Sequence, residues 1–440
     1  MSAELVDRFR PTIDVSRRRF LGAGMASLGS LFLPDVLRLR AAAGAETRSS
    51  SVIFVFLAGG PSQHETFDPK PEAPSEYRGP FLSVSTALPG IRFSETMPRL
   101  ADAIKDLAII RSVVHSEASH IAEHVVESGY FLRNIANARA GEMPAVGSVV
   151  ARVRGGGAGG LPGFVSLPQP TAYCGPVYLG RRYAPFGVDG NPNSGDFRVA
   201  NLARLEHLTG VLRDRQTLLR TLDDTPRVED DATKAIDAYQ AQALELLTGD
   251  RARQAFDLSQ EPDRLRDRYG RTDMGQRMLL ARRLVEAQVP FVAVRFTPGV
   301  GPDWDDHADL PERMRQRAPI YDQGLSALIE DLRQRGLNRD VLVVAMGEFG
   351  RTPKMNQNAG RDHWPGVASV LLAGGSYRMG QVIGASDSRG GAVVQSPYPP
   401  QSVLAMAYRH LGIDPAMTFP DFTGRPRHVL ESREPIAELL

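Results

Sequence analysis

The stretch Ser51-Val52-Ile53-Phe54-Val55-Phe56-Leu57 is apolar at nearly every position and stops at Gly59-Gly60-Pro61. A strand with one face in water alternates apolar and polar residues, whereas an unbroken apolar run suits a strand buried on both faces of a parallel sheet. Leu107 to Ile110, Phe291 to Phe296 and Val341 to Met346 share this character, and Val367 to Ala373 is expected to be a fifth strand of the same kind. Helical patterns lie between several of them, including Glu95 to Lys105 and the amphipathic stretch Pro311 to Arg335. Strands alternating with helices predict an α/β fold, a mostly parallel sheet flanked by helices on both faces. Residues 155–198, rich in Gly, Pro and aromatics, break this rhythm and are expected to form a loop excursion over one end of the sheet, near the site. Residues 199–289 are charged and helical in pattern, the Asp230 to Leu247 segment included, and are expected to form a helical insertion before the sheet resumes.

Ahead of the first strand, Ser16-Arg17-Arg18-Arg19-Phe20-Leu21 precedes a weakly apolar run that ends near Ala43-Gly44-Ala45. Paired arginines followed by Phe-Leu and then by Gly, Ala, Leu and Met read as a twin-arginine signal. Pro34 and Asp35 interrupt the run, which is too short to span a bilayer, so no stable membrane span is expected. The segment implies handling by the twin-arginine translocation machinery, export to the periplasm or cell envelope, and cleavage near Ala45. That leaves residues 46–440 as one large α/β domain, long enough to bury a sizeable core.

The 52 basic and 51 acidic residues leave a net charge of +1, so no field draws in nucleic acid or an anionic membrane. With a single cysteine, Cys174, no internal disulfide forms. That residue reads as a small buried apolar side chain rather than a nucleophile.

Of nine histidines, six fall in four short segments, each next to an expected strand end. In open α/β sheets ligands bind beyond the carboxyl ends of the strands. The first segment offers His64, Glu65 and Asp68 as ligands; alternatively Gly59-Gly60 is a tight turn and Asp68 a turn former before Pro69. In the second, a helix entered at Ser119 would put His120 and His124 on one face, with Glu123 beside His120, a spacing that suits a two-histidine metal site. Ser119 itself is either the helix cap or a nucleophile. The third, Asp303-Trp304-Asp305-Asp306-His307, packs three carboxylates and an imidazole around a tryptophan, which points to a packed loop rather than a solvated acidic turn. The fourth is Gly347-Glu348-Phe349-Gly350-Arg351-Thr352-Pro353 with Arg361-Asp362-His363-Trp364-Pro365, where Arg351 and Arg361 would hold an anionic group or form structural ion pairs.

Taken together, the twin-arginine signal, Gly-Gly-Pro-Ser-Gln-His-Glu-Thr-Phe-Asp-Pro-Lys-Pro, Trp-Asp-Asp-His, Gly-Glu-Phe-Gly-Arg-Thr-Pro and Arg-Asp-His-Trp-Pro resemble an uncharacterised, sulfatase-like family of exported bacterial proteins. The resemblance covers essentially the whole mature chain and implies membership of the alkaline phosphatase and sulfatase superfamily. Its members use a metal centre, commonly with two ions, and a Ser, Thr or modified Cys nucleophile to cleave phosphate or sulfate esters. It implies an alkaline-phosphatase-like fold, with Glu348 matching a ligand position, His363 the later metal histidine, and Asp305 and His307 the earlier Asp and His ligands. Counting back from Gly129 places Ser119 at the nucleophile.

The chain departs from the superfamily in having Ala58 where a first ligating Asp is usual and Phe349 where a ligating His is usual. Cys174-Gly175-Pro176-Val177-Tyr178 lacks the Arg of the formylglycine pattern and Ser119 lacks its Pro, which argues against a formylglycine-dependent sulfatase. The expected reading is a metal-dependent hydrolase acting on a small-molecule or polysaccharide ester. Asp305, His307 and His363 would hold one ion; Glu348 with Asp68 or His64 would hold a second. Mixed N and O ligands favour zinc or manganese. Arg351 or Arg361 would neutralise developing charge. The alternative is a non-catalytic envelope binding or scaffold protein that keeps the fold and at most one metal. Amino-terminal sequencing of protein recovered from the periplasm is expected to begin at Glu46, and a mature chain still carrying Arg17-Arg18 would overturn the export reading.

Overall fold

The computed structural model describes residues 50–133, 141–199, 245–246, 249–296 and 303–440. The twin-arginine segment and most of Asp230 to Leu247 lie outside the described residues. Eight strands form the main sheet: β1 (Ser51–Leu57), β2 (Leu107–Val113), β3 (Phe164–Leu167), β4 (Phe186–Gly187), β5 (Phe291–Phe296), β6 (Val341–Met346), β9 (Ala368–Gly374) and β10 (Gln381–Ile383). Their spatial order is β10-β2-β9-β6-β1-β5-β3-β4. A two-residue ribbon, β7 (Gly350–Arg351) against β8 (His363–Trp364), lies between β6 and β9 in the chain.

Every strand of the sheet is parallel to β1 except β9, which runs antiparallel to both β2 and β6. The mostly parallel sheet is as expected; the direction of Val367 to Ala373 is not. A parallel neighbour needs a crossover, usually through a helix, and the chain from Met346 to Ala368 contains only the β7–β8 ribbon and turns. It therefore returns in the opposite direction, so that β9 begins at the end of the sheet where β6 finishes.

The central strands β1, β5 and β6 are buried along their whole length. Along β1 the side chains alternate between two cores, Ile53, Val55 and Leu57 on one face and Val52, Phe54 and Phe56 on the other. The first face is covered by α5 (Asp273–Glu286) and α6 (Leu310–Gln334) through Met278, Leu284, Tyr321 and Leu325. The second is covered by α1 (Ala122–Ser128), α2 (Val146–Arg154) and α7 (Pro400–His410) through Val126, Val146, Val150, Val403 and Leu404. These two layers hold the strand ends in fixed register, and each strand end carries one piece of the site.

Two expectations are corrected here. Residues 155–198 are not only a loop excursion, because Phe164–Leu167 pairs with β5 and Phe186–Gly187 extends the sheet edge. These strands are of four and two residues, too short for periodicity to reveal between flanking glycines and prolines. Of the segment expected as a helical insertion, the described part holds α3 (Asp250–Phe256), α4 (Asp263–Tyr269) and α5. Helix α5 is no insertion, since its apolar side packs directly on the sheet. Among the described residues no helix is long and apolar enough to cross a membrane.

Candidate metal centre

The four histidine-bearing segments meet at the carboxyl edge of the sheet, but they divide into a centre and its supports. Asp305 follows β5, His120 follows β2, and His363 opens the return into β9; one ligand atom from each lies within 4.8 Å of the others. His307 joins them, its Nε2 being 3.2 Å from Asp305 Oδ1 and 3.0 Å from His363 Nε2. The sequence placed Asp305, His307 and His363 together, and the structure does bring them together. His120, expected to share a two-histidine site with His124, enters this cluster without it.

The protons on the three rings follow from their outer contacts. His363 Nδ1 lies 2.8 Å from the Ala118 carbonyl, which can only accept, so Nδ1 carries the hydrogen. His307 Nδ1 donates to Asp362 Oδ1 at 2.7 Å, and His120 Nδ1 donates to Glu348 Oε1 at 2.9 Å. In the neutral rings each Nε2 is then left with a lone pair, and all three face the Asp305 carboxylate, His120 at 3.4 Å and His363 at 3.1 Å. With neutral rings, lone pairs of His120 and His363 meet the Asp305 carboxylate and His307 adds a third beside Asp305 and His363, an arrangement that takes either a cation or a proton. Imidazoles that donate outward to carboxylate or carbonyl while turning the other nitrogen inward are characteristic of metal ligands. Three imidazole nitrogens and one carboxylate oxygen suit tetrahedral zinc, and manganese less well.

The electrostatics agree. Hydrogen bonds to Asp305 and Glu348 push the His120 imidazolium up to about 10, so a proton occupies the place of a cation when no metal does. Burial pushes the Asp305 carboxyl up, but hydrogen bonds from His120, His363 and Arg351 outweigh it and hold the group well below the usual carboxylate range. The His120 side chain is 52% exposed and that of His363 17%, so the centre opens to solvent and to substrate.

Glu348 is a support rather than a member of the ligand group. Its Oε1 accepts the Gly59 amide at 2.8 Å as well as His120 Nδ1, while its buried Oε2 has no hydrogen-bond partner. Its own backbone carbonyl is held by His115 Nε2 at 2.6 Å. Beside the centre, Ser119 sits between Ala118, whose carbonyl orients His363, and the ligand His120; its hydroxyl donates to Glu117 Oε1 at 2.7 Å. Ser119 does not cap a helix, because α1 begins only at Ala122 and its cap position has no side-chain bond.

Several expected site residues prove to be structural. Asp68 pairs with Lys70 at 2.9 Å and Arg111 at 3.4 Å and accepts the Ser386 hydroxyl. His64 donates Nε2–H to the Arg389 carbonyl, and burial together with the nearby Arg361 lowers it to about 4, so it stays neutral. Neither belongs to a ligand group among the described residues. His124 is not paired with His120: it is fully buried, donates Nδ1–H to Tyr130 O at 2.7 Å and accepts the amides of Glu142 and Met143 at Nε2. The turn at residues 119–121 breaks the helical spacing that would have set the two rings side by side.

Both arginines are withdrawn from substrate. Arg361 is fully buried, binds Glu65 through Nε at 3.0 Å and Nη2 at 2.8 Å, and spends Nη1 on the Thr352 and Pro353 carbonyls. Arg351, also fully buried, donates to the carbonyls of Gly59, Gly60 and Arg361 and to Asp305 Oδ1 at 2.5 Å, which makes it a clamp on the ligand. Asp306, next to the ligand Asp305, pairs with Arg313 and Arg317 of α6 and ties the loop down. Trp304 is buried against Tyr321, with the Arg317 guanidinium 4.7 Å above its ring, as a packed loop requires.

Residues 49–440 match the family described as "Protein of unknown function (DUF1501)". The chain belongs to that family. No curated protein sequence matches this DUF1501 chain. Among solved structures it is similar to Ps i-CgsB, at 11% identity over 83% of this chain and 72% of that one, with a TM-score of 0.38. It is similar to the PsFucS1 sulfatase from Pseudoalteromonas sp., at 12% identity over 86% and 70% of the two chains, TM-score 0.37. The phosphonate monoester hydrolase of Agrobacterium radiobacter is similar at 11% identity over 84% and 75%, TM-score 0.37. Likenesses at this level transfer no residue and no activity, so the chemistry rests on the site's own geometry.

His363→Ala and His120→Ala are each expected to lower bound zinc, measured by elemental analysis, by about one equivalent per chain with the far-ultraviolet circular dichroism unchanged. Glu65→Ala strands a buried guanidinium and is expected to cost about 3–5 kcal/mol in chemical denaturation while leaving metal content intact.

Proposed function

We propose that this protein is an exported metal-dependent hydrolase of phosphate or sulfate esters, built on the alkaline-phosphatase-like fold that its motifs resemble. The observation that carries the reading is the convergence of three outward-anchored histidines on Asp305 at the solvent-open carboxyl edge of the sheet. The donor set supports a single zinc or manganese ion held by His120, Asp305, His307 and His363. When bound, such an ion supplies a Lewis acid for the ester oxygen and lowers the pKa of a neighbouring hydroxyl or water.

Ser119 is the nucleophile in this reading. It is exposed, it lies between His120 of the centre and Ala118, whose carbonyl orients His363, and its hydroxyl already donates to Glu117, which can take the proton as the oxygen attacks. Neither buried arginine faces the substrate, so charge developing on the ester falls to the metal. The substrate is a small-molecule or polysaccharide ester. The reading includes export through the twin-arginine segment with cleavage near Ala45, so that a centre loaded before export would work in the periplasm or cell envelope.

One observation favours the rival, a binding protein without turnover: position 58 contributes only backbone, its N–H to Phe296 and its carbonyl to Trp304, and Phe349 contributes an apolar ring. A screen of aryl phosphates and aryl sulfates separates the two. The hydrolase reading expects zinc- or manganese-dependent turnover, abolished by His363→Ala and reduced at least ~10³-fold in kcat by Ser119→Ala. Metal-loaded protein that turns over neither ester class would sink it in favour of the binder, and a Ser119→Ala variant with unchanged kcat would remove Ser119 as the nucleophile.

A further inference from the structure

Behind the solvent-open centre lies a second group of ligand-type side chains that the proposed chemistry does not use. Glu123 and Glu127 on α1 and Cys174 in the 155–198 segment bring one ligand atom each within 4.8 Å of one another. Glu127 and Cys174 are fully buried, and the cluster is closed by Arg295 from β5, which is also fully buried. Arg295 Nη2 lies 2.7 Å from Glu127 Oε1, and its Nη1 is 3.6 Å from Glu123 Oε1. The Thr171 hydroxyl donates to Glu123 Oε1 and lies 3.2 Å from Cys174 Sγ.

One guanidinium thus faces two carboxylates. Glu127 Oε2 is buried with no hydrogen-bond partner, and Oε1 has only the ion pair with Arg295. A buried carboxylate oxygen left in this way is costly. A divalent cation together with a Cys174 thiolate would bring the cluster to neutrality: three anionic ligands against one guanidinium and one doubly charged ion. Burial, the largest influence on both groups, pushes the Cys174 thiol far up and Glu123 up to about 7, against the opposing pull of the Arg295 guanidinium.

We propose that Glu123, Glu127 and Cys174 form a second, buried divalent-metal site, distinct from the histidine centre, with Glu127 Oε2 and Cys174 Sγ as inner ligands. Loading it converts the Cys174 thiol to a metal thiolate and releases one proton to solvent, with nothing oxidised or reduced. A thiolate among carboxylates selects a borderline-soft ion such as zinc or cobalt over magnesium or calcium. Because α1 also follows the His120 turn, an ion here would brace the helix behind the open centre.

The test uses cobalt(II) as the divalent metal supplied while the full chain is produced. Cys174 is the chain's only cysteine. A thiolate-to-cobalt charge-transfer band in the near ultraviolet therefore reports this site alone. The expected result is that band in the parent protein, its loss in Cys174→Ser and Glu127→Gln with about one cobalt fewer per chain, and its persistence in His363→Ala. Folding of each variant is checked by circular dichroism, and Cys174→Ala serves if Cys174→Ser does not fold. No band in the parent protein, or a Cys174 variant that binds as much cobalt as the parent, would overturn the proposal. Either result is read without turnover and leaves the ester hydrolase reading standing or falling on its own.

Discussion

Asp305 reaches its position because residue 59 has no side chain. Gly59 adopts φ +102° and lies directly under the Asp305 loop, where a Cβ would overlap the Asp305 amide nitrogen and come within 2.6 Å of the Trp304 carbonyl carbon. From there its N–H reaches the Glu348 carboxylate at 2.8 Å and its carbonyl accepts from Arg351. One backbone residue thus fixes the ligand's loop, the carboxylate that orients His120, and the guanidinium that clamps Asp305. Gly60, at φ +77°, repeats the device against the ring of Phe349, which a Cβ would approach to 2.6 Å. Two left-handed glycines at the end of β1 let three other strand ends close on a point.

The charges around that point are layered. Asp305 faces three imidazoles and one guanidinium, while Glu348, Asp362 and the Ala118 carbonyl hold the imidazoles from outside. Behind them the buried ion pairs, Glu65 with Arg361 and Asp306 with Arg317, tie the ribbon and the loop to the rest of the sheet. Buried pairs of this kind add little net stability, but leaving either partner alone is costly, so they specify the loop's position rather than tighten the fold. Precision at the ligands is bought from geometry in the supports, and the ligands stay open to solvent.

Residue pattern made the sheet and most of the centre legible. The apolar runs at 51–57, 107–110, 291–296 and 341–346 are strands, and Asp305, His307 and His363 do meet. What pattern could not distinguish was a polar residue turned toward the centre from one turned away. His64 and Asp68 are of the same residue types as the candidate ligands, and Arg351 and Arg361 are suited to an anion, yet their partners lie up to hundreds of residues away: Gly60 for Arg351, Glu65 for Arg361, Arg389 for His64. His120 and His124 stand at helical spacing, but three residues of turn before α1 send one ring to the centre and the other into the core. Asp362 was legible as the neighbour of His363 but serves His307 instead.

The sequence by itself determined the α/β class, the strand cores and the residue types available to the site, because period and residue type act locally: a run without polar residues suits burial on both faces, and imidazoles with carboxylates can serve a cation or a proton. Only the tertiary structure decided the direction of β9 and which titratable side chains share the centre. It also decided which way each imidazole points its lone pair and that a second buried acid–thiol group stands behind the first. Those outcomes depend on contacts between segments far apart in the chain, where a single glycine or a turn of three residues changes which partner a side chain reaches.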